Sequence, residues 1–529
     1  MTTADADAHA GAGAGGGAGT PDAGGGAPDL AMSTPRGRWV LAATVLGSGI
    51  AFLDATVVGI ALPSISRTFG GGVGTLQWVI TGYSLTLAAF LLLGGSLGDR
   101  FGRRRVFSFG IAWFAVASAC CGLAPTAGFL IVARIVQGIG GALLTPGSLA
   151  ILQASFRPDD RSRAIGAWSG LGGVASAAGP LIGGYLLAVA SWRWLFFINL
   201  PLSAFVLVIT ARHVPESSDP TNKGRVDTAG AALAVIFLAG VTYALIEGPT
   251  RGWSSPAIVA SFVLAAVAGP AFFVVERRVT GPMLPLGLFR SRQFSGANAV
   301  TFVVYGALGG ALFLLPVELQ LVAHYTPLDS GLALLPLTLI MLVFSARSGQ
   351  LSARIGPRLQ MSLGPVLVGA GLALLARATD PGTYWAQVFP AVLLFGAGLA
   401  VTVAPLTSTA MGAAPAEHSG IASAVNNTVA RAAGLFAVAV LPLAAGLTGT
   451  AALAPSELAD GFRTAVYISG VACAAGGLLA LLTIRNPARP PAPAPAPAPA
   501  PERRYFCGVA GPAWRPGLPA SASAGPTKA

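Results

Sequence analysis

Charged side chains inside apolar runs are the residues of this sequence whose types and positions could do chemistry. Asp54 and Arg134 each stand in an apolar run, and Glu318 and Arg431 stand in two later runs. A carboxylate in such a run is costly unless it is paired, hydrated or protonated. Burial favours the protonated form and a nearby guanidinium favours the ionised form, so Asp54 could bind and release a proton. The alternative is a fixed Asp54–Arg134 ion pair that only orients two helices.

The composition indicates that the solvent of these runs is lipid. The hydrophobic set makes up 54% of the 529 residues, only 10% are charged, and the mean hydropathy is +0.70. A soluble globular protein carries roughly 25% charged residues, so this chain has too few charges to cover a water-exposed surface. The composition therefore argues against a water-soluble enzyme and predicts a membrane protein.

Fourteen apolar runs are long enough to cross a bilayer as helices, since about 20 residues span about 30 Å of hydrocarbon. We predict an all-α membrane protein with both chain ends on one side, because the number of spans is even. The predicted spans lie near residues 39–62, 76–97, 106–123, 127–152, 162–190, 194–211, 228–247, 256–275, 294–321, 330–346, 358–377, 384–410, 418–447 and 462–484.

The basic residues predict the orientation of these spans. Twenty-five of the 32 Lys and Arg residues fall in segments that are cytoplasmic if the N-terminus is cytoplasmic, and five fall in the opposite segments. Cytoplasmic loops carry an excess of Lys and Arg. We therefore expect a multi-pass protein of the plasma membrane with both termini in the cytoplasm. The formal charge of +12 then reflects topology and not a nucleic-acid partner.

Helix geometry places Asp54 and Arg134 at similar depths. At 1.5 Å per residue, Asp54 lies roughly 22 Å from the inner end of its span, and Arg134 lies roughly 10 Å from the outer end of its own. In a slab of about 30 Å these depths agree to about one helical turn. A cavity-facing Asp–Arg pair is therefore geometrically possible.

A short repeat predicts two related halves. Residues 95–104 read GSLGDRFGRR and residues 349–358 read GQLSARIGPR, and each segment follows the second span of a six-span set. Repeated halves around a central cavity are the usual architecture of transporters. We expect an N-terminal six-helix half over 36–213, two inserted helices over 214–280 and a C-terminal six-helix half over 281–486.

The chain ends and the motif search narrow the function further. Residues 1–35 are rich in Gly and Ala and residues 487–529 in Pro and Ala, so we expect a disordered tail at each end. Neither Lys223 nor Lys528 completes a GxxxxGK[ST] phosphate loop, and the four His form no HExxH motif. We therefore expect no ATP-driven pumping, no catalytic residues, no metal site and no cofactor.

Four segments carry recognisable motifs: 53–63 in the first span, 94–105 in an inner loop, 134–141 in the fourth span and 170–184 in the fifth. Together they resemble the major facilitator superfamily, specifically its fourteen-span drug–proton antiporters of the EmrB/QacA type. The resemblance covers residues 36–485 and implies the major facilitator fold. It implies proton-coupled export of drugs, antibiotics or secondary metabolites, with a small amphipathic organic substrate, protons and the lipid bilayer as partners.

The resemblance also implies roles for two groups of residues. In the inner loop, an acid latches the two halves by pairing with a neighbouring arginine and a helix N-terminus of the other half; the loop residues are Asp99, Arg100, Gly102, Arg103 and Arg104. In the fifth span, an antiporter motif seals the cavity on one side; its residues are Gly170, Gly179, Pro180, Gly183 and Gly184. Membrane anchoring of the arginines and small-residue packing of the glycines are the alternatives.

Two charged residues of the later spans have alternative roles. Glu318, near the outer end of the ninth span, attracts a cationic substrate, relays protons at the exit, or is an interfacial carboxylate in water. Arg431 balances an acid, meets an anionic group of the substrate, or forms a structural pair. A transporter of a more polar metabolite and a non-transporting membrane sensor remain the alternative functions.

Overall fold

A computed structural model describes the chain in five stretches, which are residues 30–218, 227–279, 282–378, 384–414 and 419–486. The predicted tails lie outside these stretches except for residues 30–35. There the Leu30 amide donates a hydrogen bond to the Ser155 carbonyl oxygen at 3.1 Å, and the first helix begins at Pro35.

Sixteen α-helices form within the described residues. They are α1 (Pro35–Phe69), α2 (Val73–Phe101), α3 (Arg103–Gly122), α4 (Ala127–Ser155), α5 (Pro158–Val189), α6 (Trp194–Phe197), α7 (Asn199–His213), α8 (Thr228–Arg251), α9 (Pro256–Arg278), α10 (Arg292–Leu321), α11 (Pro327–Ala333), α12 (Leu335–Ile355), α13 (Pro357–Leu375), α14 (Phe389–Gly412), α15 (Ser419–Ala444) and α16 (Pro455–Thr483).

These helices supply fourteen spans that are long and apolar enough to cross a membrane. Two of the spans are interrupted, α6–α7 at Ile198 and α11–α12 at Leu334, and a π-helical turn over Tyr384–Val388 precedes α14. The prediction of an all-α membrane protein with fourteen transmembrane helices is confirmed. The interruptions were not predicted.

Two glycines occupy the same place in the repeated segments 95–104 and 349–358. Gly102 follows α2 with φ of 101°, and Gly356 follows α12 with φ of 87°. The amide of each donates to the carbonyl oxygen four residues earlier, which closes the helix. Side chains are rarely tolerated in this backbone conformation, so both segments need glycine at this turn.

Helix packing also repeats between the first six and the last six spans. The α1–α5, α2–α4 and α3–α4 contacts of the first set correspond to the α10–α15, α12–α14 and α13–α14 contacts of the last. Between the sets, α8 and α9 pack on each other, and α8 contacts α2 and α15. Two related halves account for this correspondence. Their boundaries, 36–213 and 281–486, stay a prediction.

Three spans, α1, α2 and α10, are the most enclosed. In their most apolar stretches 72%, 67% and 67% of the residues are buried, against 24% for α5 and 17% for α11–α12. An enclosed helix keeps its polar side chains from water and lipid, so charges on α1 or α10 depend on protein partners.

Candidate functional site

Asp54 of α1 and Arg134 of α4 form an ion pair inside the first six spans. Arg134 Nη1 donates to Asp54 Oδ2 at 2.5 Å. The exposed fraction is 0% for Asp54 and 1% for Arg134, so the pair is enclosed by protein in this conformation and does not face an open cavity. The direct contact agrees with the similar depths that helix geometry predicted for Asp54 and Arg134. Their role in proton transfer stays a prediction.

Three polar side chains complete the surroundings of the Asp54 carboxylate. Its Oδ1 accepts from Gln137 Nε2 at 3.0 Å and from Asn199 Nδ2 at 3.2 Å. Ser118 Oγ accepts from Asn199 Nδ2 at 3.0 Å and donates to the Phe196 carbonyl oxygen at 2.9 Å. Both carboxylate oxygens therefore accept hydrogen bonds, and five helices meet around one charge.

Arg134 is held by α2 as well as by Asp54. Its Nε donates to the Val79 carbonyl oxygen at 3.2 Å, and its guanidinium carbon lies 4.3 Å from the centroid of the Tyr83 ring, which is a cation–π contact. The two helices approach closely because Gly138 of α4 has no side chain, and a Cβ there would overlap the Tyr83 carbonyl oxygen. This glycine thus brings the arginine against α2.

Glu318 of α10 is a second buried carboxyl group. It is 1% exposed, and neither of its side-chain oxygens has a hydrogen-bond partner among the described residues. The interfacial carboxylate in water that the sequence left open is not what the structure shows. Two residues further on, Gln320 Nε2 donates to the Ile60 carbonyl oxygen at 2.9 Å, which joins α10 to α1.

Arg431 of α15 is a half-buried cation. Within the described residues it forms no ion pair and donates no hydrogen bond. Its helix, α15, packs against both α2 and α10, so Arg431 lies on a helix where the first and last sets of spans come together. No acid among the described residues forms an ion pair with it.

The inner-loop residues contact their own loop and the segment after α7. Asp99 Oδ1 accepts from Arg103 Nε at 2.9 Å and Nη2 at 2.8 Å. The Arg104 amide donates to Glu216 Oε1 at 3.1 Å, and the Arg100 guanidinium lies 5.3 Å from the ring of the next residue. These contacts hold the loop to the first six spans, and the latch between halves stays a prediction.

The fifth-span motif gives α5 contacts with both sets of spans. A Cβ on Gly179 or Gly183 would overlap side chains of α1, and one on Gly184 would stand 2.6 Å from a carbonyl oxygen of α11. The Pro180 carbonyl oxygen also contacts α11. Gly170 has no neighbour within 4 Å of such a Cβ. Four of the five motif residues therefore lie at helix contacts, and Gly170 does not.

Known proteins match the chain over most of its length. The family model described as Major Facilitator Superfamily matches residues 44–439. The chain belongs to this superfamily. The prediction from the four sequence motifs is therefore confirmed, and the described helices form a multi-pass membrane transporter of this class.

Relatives of this major facilitator protein carry the names of resistance proteins. Multidrug resistance protein Stp of Mycobacterium tuberculosis is 38% identical over 414 residues, covering 78% of this chain and 76% of the relative. Methylenomycin A resistance protein of Streptomyces coelicolor is 34% identical over 454 residues, covering 85% of this chain and 93% of the relative.

Solved structures show the same fold. A D-xylose–proton symporter matches with a TM-score of 0.60 and 15% identity, over 85% of this chain and 98% of the symporter. A bacterial homolog of the human lysosomal transporter Spinster, inward-facing and occupied, matches with a TM-score of 0.60 and 16% identity, over 86% of this chain and 100% of the homolog. At such identities the likeness concerns the fold alone.

Gln137, Asn199 and Ser118 belong to the site of this major facilitator protein, although the sequence predictions did not select them. Gln137 follows Arg134 by one helical turn, and Asn199 interrupts an apolar run. Because a buried amide needs hydrogen-bond partners, an amide side chain at either position could have indicated a polar site inside the protein. Ser118 gave no such indication, since a serine hydroxyl in a helix can bond to its own backbone.

Proposed function

We propose that this major facilitator protein exports amphipathic drugs, antibiotics or secondary metabolites in exchange for protons. Relatives named for methylenomycin, puromycin and tetracenomycin C resistance support this class of cargo. The observation that carries proton exchange is the Asp54 carboxylate, which is 0% exposed in the middle of a membrane-spanning helix. A charge in that position is rare and costly in a purely structural role.

The Asp54 site can alternate between two protonation states. With Arg134 in contact the carboxylate is ionised and its charge is compensated. If α4 carries Arg134 away, the same buried carboxylate keeps the neutral amide of Asn199 beside it but has no cation, so taking a proton costs less than remaining charged. Asn199 Oδ1 is buried and has no hydrogen-bond partner among the described residues, so rotation of this amide would offer an acceptor to the protonated Asp54.

Glu318 and Arg431 are assigned different roles in the transport cycle. Neither side-chain oxygen of Glu318 accepts a hydrogen bond from a described residue, so we assign it a second proton, taken up at the end of α10. Arg431 carries a charge without an acid partner among the described residues, so we assign it to an anionic or hydrogen-bond-accepting group of the cargo.

The moving parts follow from the same proposal. The N-terminal half (36–213) and the C-terminal half (281–486) rock against each other about the cargo site, as paired repeats do in transporters. The loop residues Asp99 to Arg104 bias one state, and the α5 motif seals the side where α5 meets α11. Both termini are assigned to the cytoplasm, which the 25 basic residues of the assigned inner segments support.

Substrate-driven proton release tests the function. The purified protein is reconstituted in liposomes, puromycin or tetracenomycin C is added at zero membrane potential, and proton release is followed with a pH dye. Wild type and Asp460→Asn, which changes an exposed acid, should release protons. Asp54→Asn should bind the compound without releasing them. Equal proton release from Asp54→Asn would remove this carboxyl from the mechanism.

A further inference from the structure

A second pair of acids lies at the base of the two inserted helices, away from the Asp54 site. Asp227 immediately precedes α8, and Glu276 lies in the last turn of α9. Their exposed fractions are 6% and 3%, although charged side chains are almost never this buried without a partner. The proposed transport function uses neither residue.

Each acid uses one oxygen to hold the local backbone. Asp227 Oδ1 accepts from the Gly230 amide at 2.7 Å and caps the start of α8. Glu276 Oε2 accepts from the Leu284 amide at 3.0 Å, which ties the end of α9 to the segment leading into α10. The two acids together thus connect α8, α9 and that segment.

The other oxygen of each acid lies beside Gly230 of α8, and no described residue donates a hydrogen bond to it. Asp227 Oδ2 and Glu276 Oε1 are both buried, and neither has a hydrogen-bond partner in the part of the chain that the structure describes. Both approach the bare Cα of Gly230, where a Cβ would stand 2.5 Å from Asp227 Oδ2 and 3.1 Å from Glu276 Oε1. Both oxygens therefore lie close to the same point on α8. Two ionised acceptors in one such place repel each other, whereas a single proton between them satisfies both.

No described cation compensates the pair. Arg277 and Arg278 follow on α9 and Arg290 lies in the turn before α10, and all three are exposed. Among the described residues none of them forms an ion pair with Asp227 or Glu276. A bound metal ion is a poorer fit, because Ca²⁺ and Mg²⁺ take at least six oxygen ligands, and the described residues hold no cluster of three or more acidic or metal-binding side chains.

We propose that Asp227 and Glu276 bind one proton between them, as a carboxyl–carboxylate hydrogen bond from one of the two facing oxygens to the other. The pair then carries a single negative charge, which two backbone amides stabilise. Loss of the proton sets two buried negative charges against each other, so the base of the inserted hairpin loosens as pH rises. The pair titrates as a unit, and it is independent of cargo binding.

The first test is the pH dependence of thermal unfolding of the full-length protein in detergent. The folded pair holds a proton that the unfolded chain releases, so stability falls as pH rises. The wild-type melting temperature should fall by a few degrees between about pH 6 and pH 9. In Glu276→Gln the amide donates permanently to Asp227 Oδ2, so the melting temperature should fall less than in wild type, by the part that the pair contributes. The matched control Glu457→Gln, at an exposed acid, should keep the wild-type fall.

The second test detects the proton itself and does not depend on stability. Infrared difference spectra of wild type minus Glu276→Gln at about pH 6 should show one protonated-carboxyl C=O band, which disappears at about pH 9. If Glu276→Gln does not fold, Asp227→Asn provides the same comparison. An unchanged pH slope in the variants, no such band, or stabilisation by added Na⁺ or Ca²⁺ in place of protons would overturn the proposal.

Discussion

Removing one partner of the Asp54–Arg134 pair should destabilise the protein, with a different pH dependence for each partner. Asp54→Asn leaves the buried Arg134 guanidinium without an anion. Both Asp54 oxygens accept hydrogen bonds, so the NH₂ group of the new asparagine faces a donor in either orientation. Breaking a buried pair in this way costs about 3–5 kcal/mol. Because arginine does not release its proton in proteins, this loss should persist at every pH from about 5 to 8.

Arg134→Gln leaves a carboxylate, which can take a proton. Protonating an aspartate in water at pH 7 costs about 4 kcal/mol, since each pH unit contributes about 1.4 kcal/mol. The folded variant then binds one proton more than its unfolded chain, so its free energy of unfolding increases as pH falls. Between pH 7 and pH 5 we expect Arg134→Gln to regain about 2–3 kcal/mol relative to wild type.

Thermal unfolding in detergent at four pH values, for wild type, both single variants and the double variant, measures these differences. The double variant has no buried charge, so it should be more stable than Asp54→Asn at every pH. An Arg134→Gln protein that acid does not rescue, or a double variant as unstable as the two losses added, would refute the reasoning. Proton-coupled export by the double variant would show that the pair only orients α1 and α4.

Three further variants test the other assignments. Gly184→Ala places a methyl group 2.6 Å from a carbonyl oxygen of α11 and should force α5 and α11 apart. A cysteine introduced at the α5–α11 contact should then be labelled more by a thiol reagent. The control Gly170→Ala, where a methyl group has no neighbour within 4 Å, should leave labelling at the wild-type level. Glu318→Gln should preserve the melting temperature but release fewer protons per molecule of cargo, and a large loss of stability would indicate a charged Glu318. Arg431→Gln should weaken equilibrium binding of anionic cargo by about tenfold or more, with neutral cargo as the control that must not change.

The spans and the depth of the central pair could be predicted because both depend on distance along a helix. Apolar length determines how many helices cross the bilayer, and a rise of 1.5 Å per residue relates Asp54 to Arg134 without knowledge of their neighbours. The repeat could also be recognised from the sequence, because the glycines that end α2 and α12 are required by the local backbone conformation. These features need no information about how one helix faces another.

The rest of the site depends on the rotation of each helix about its axis. Glu318 lies near the end of an apolar run, which suggests water, but α10 turns this side chain into the protein interior. Asp227 and Glu276 come together only because α8 and α9 pack side by side. The break at Ile198, which brings Asn199 to Asp54, has no equivalent in a hydropathy pattern.

The inserted helix α8 covers one of the two lines along which the first and last six spans meet. Leu85 of α2, Leu238 of α8 and Leu435 of α15 belong to one apolar cluster, and Trp78 Nε1 of α2 donates to Glu247 of α8 at 2.9 Å. Along the other line α5 meets α11 and α12, and the extensive contacts of α8 and α9 in the described chain lie elsewhere. An apolar compound diffusing sideways out of the bilayer beside α2 thus meets α8 before it reaches the line between the first and last six spans.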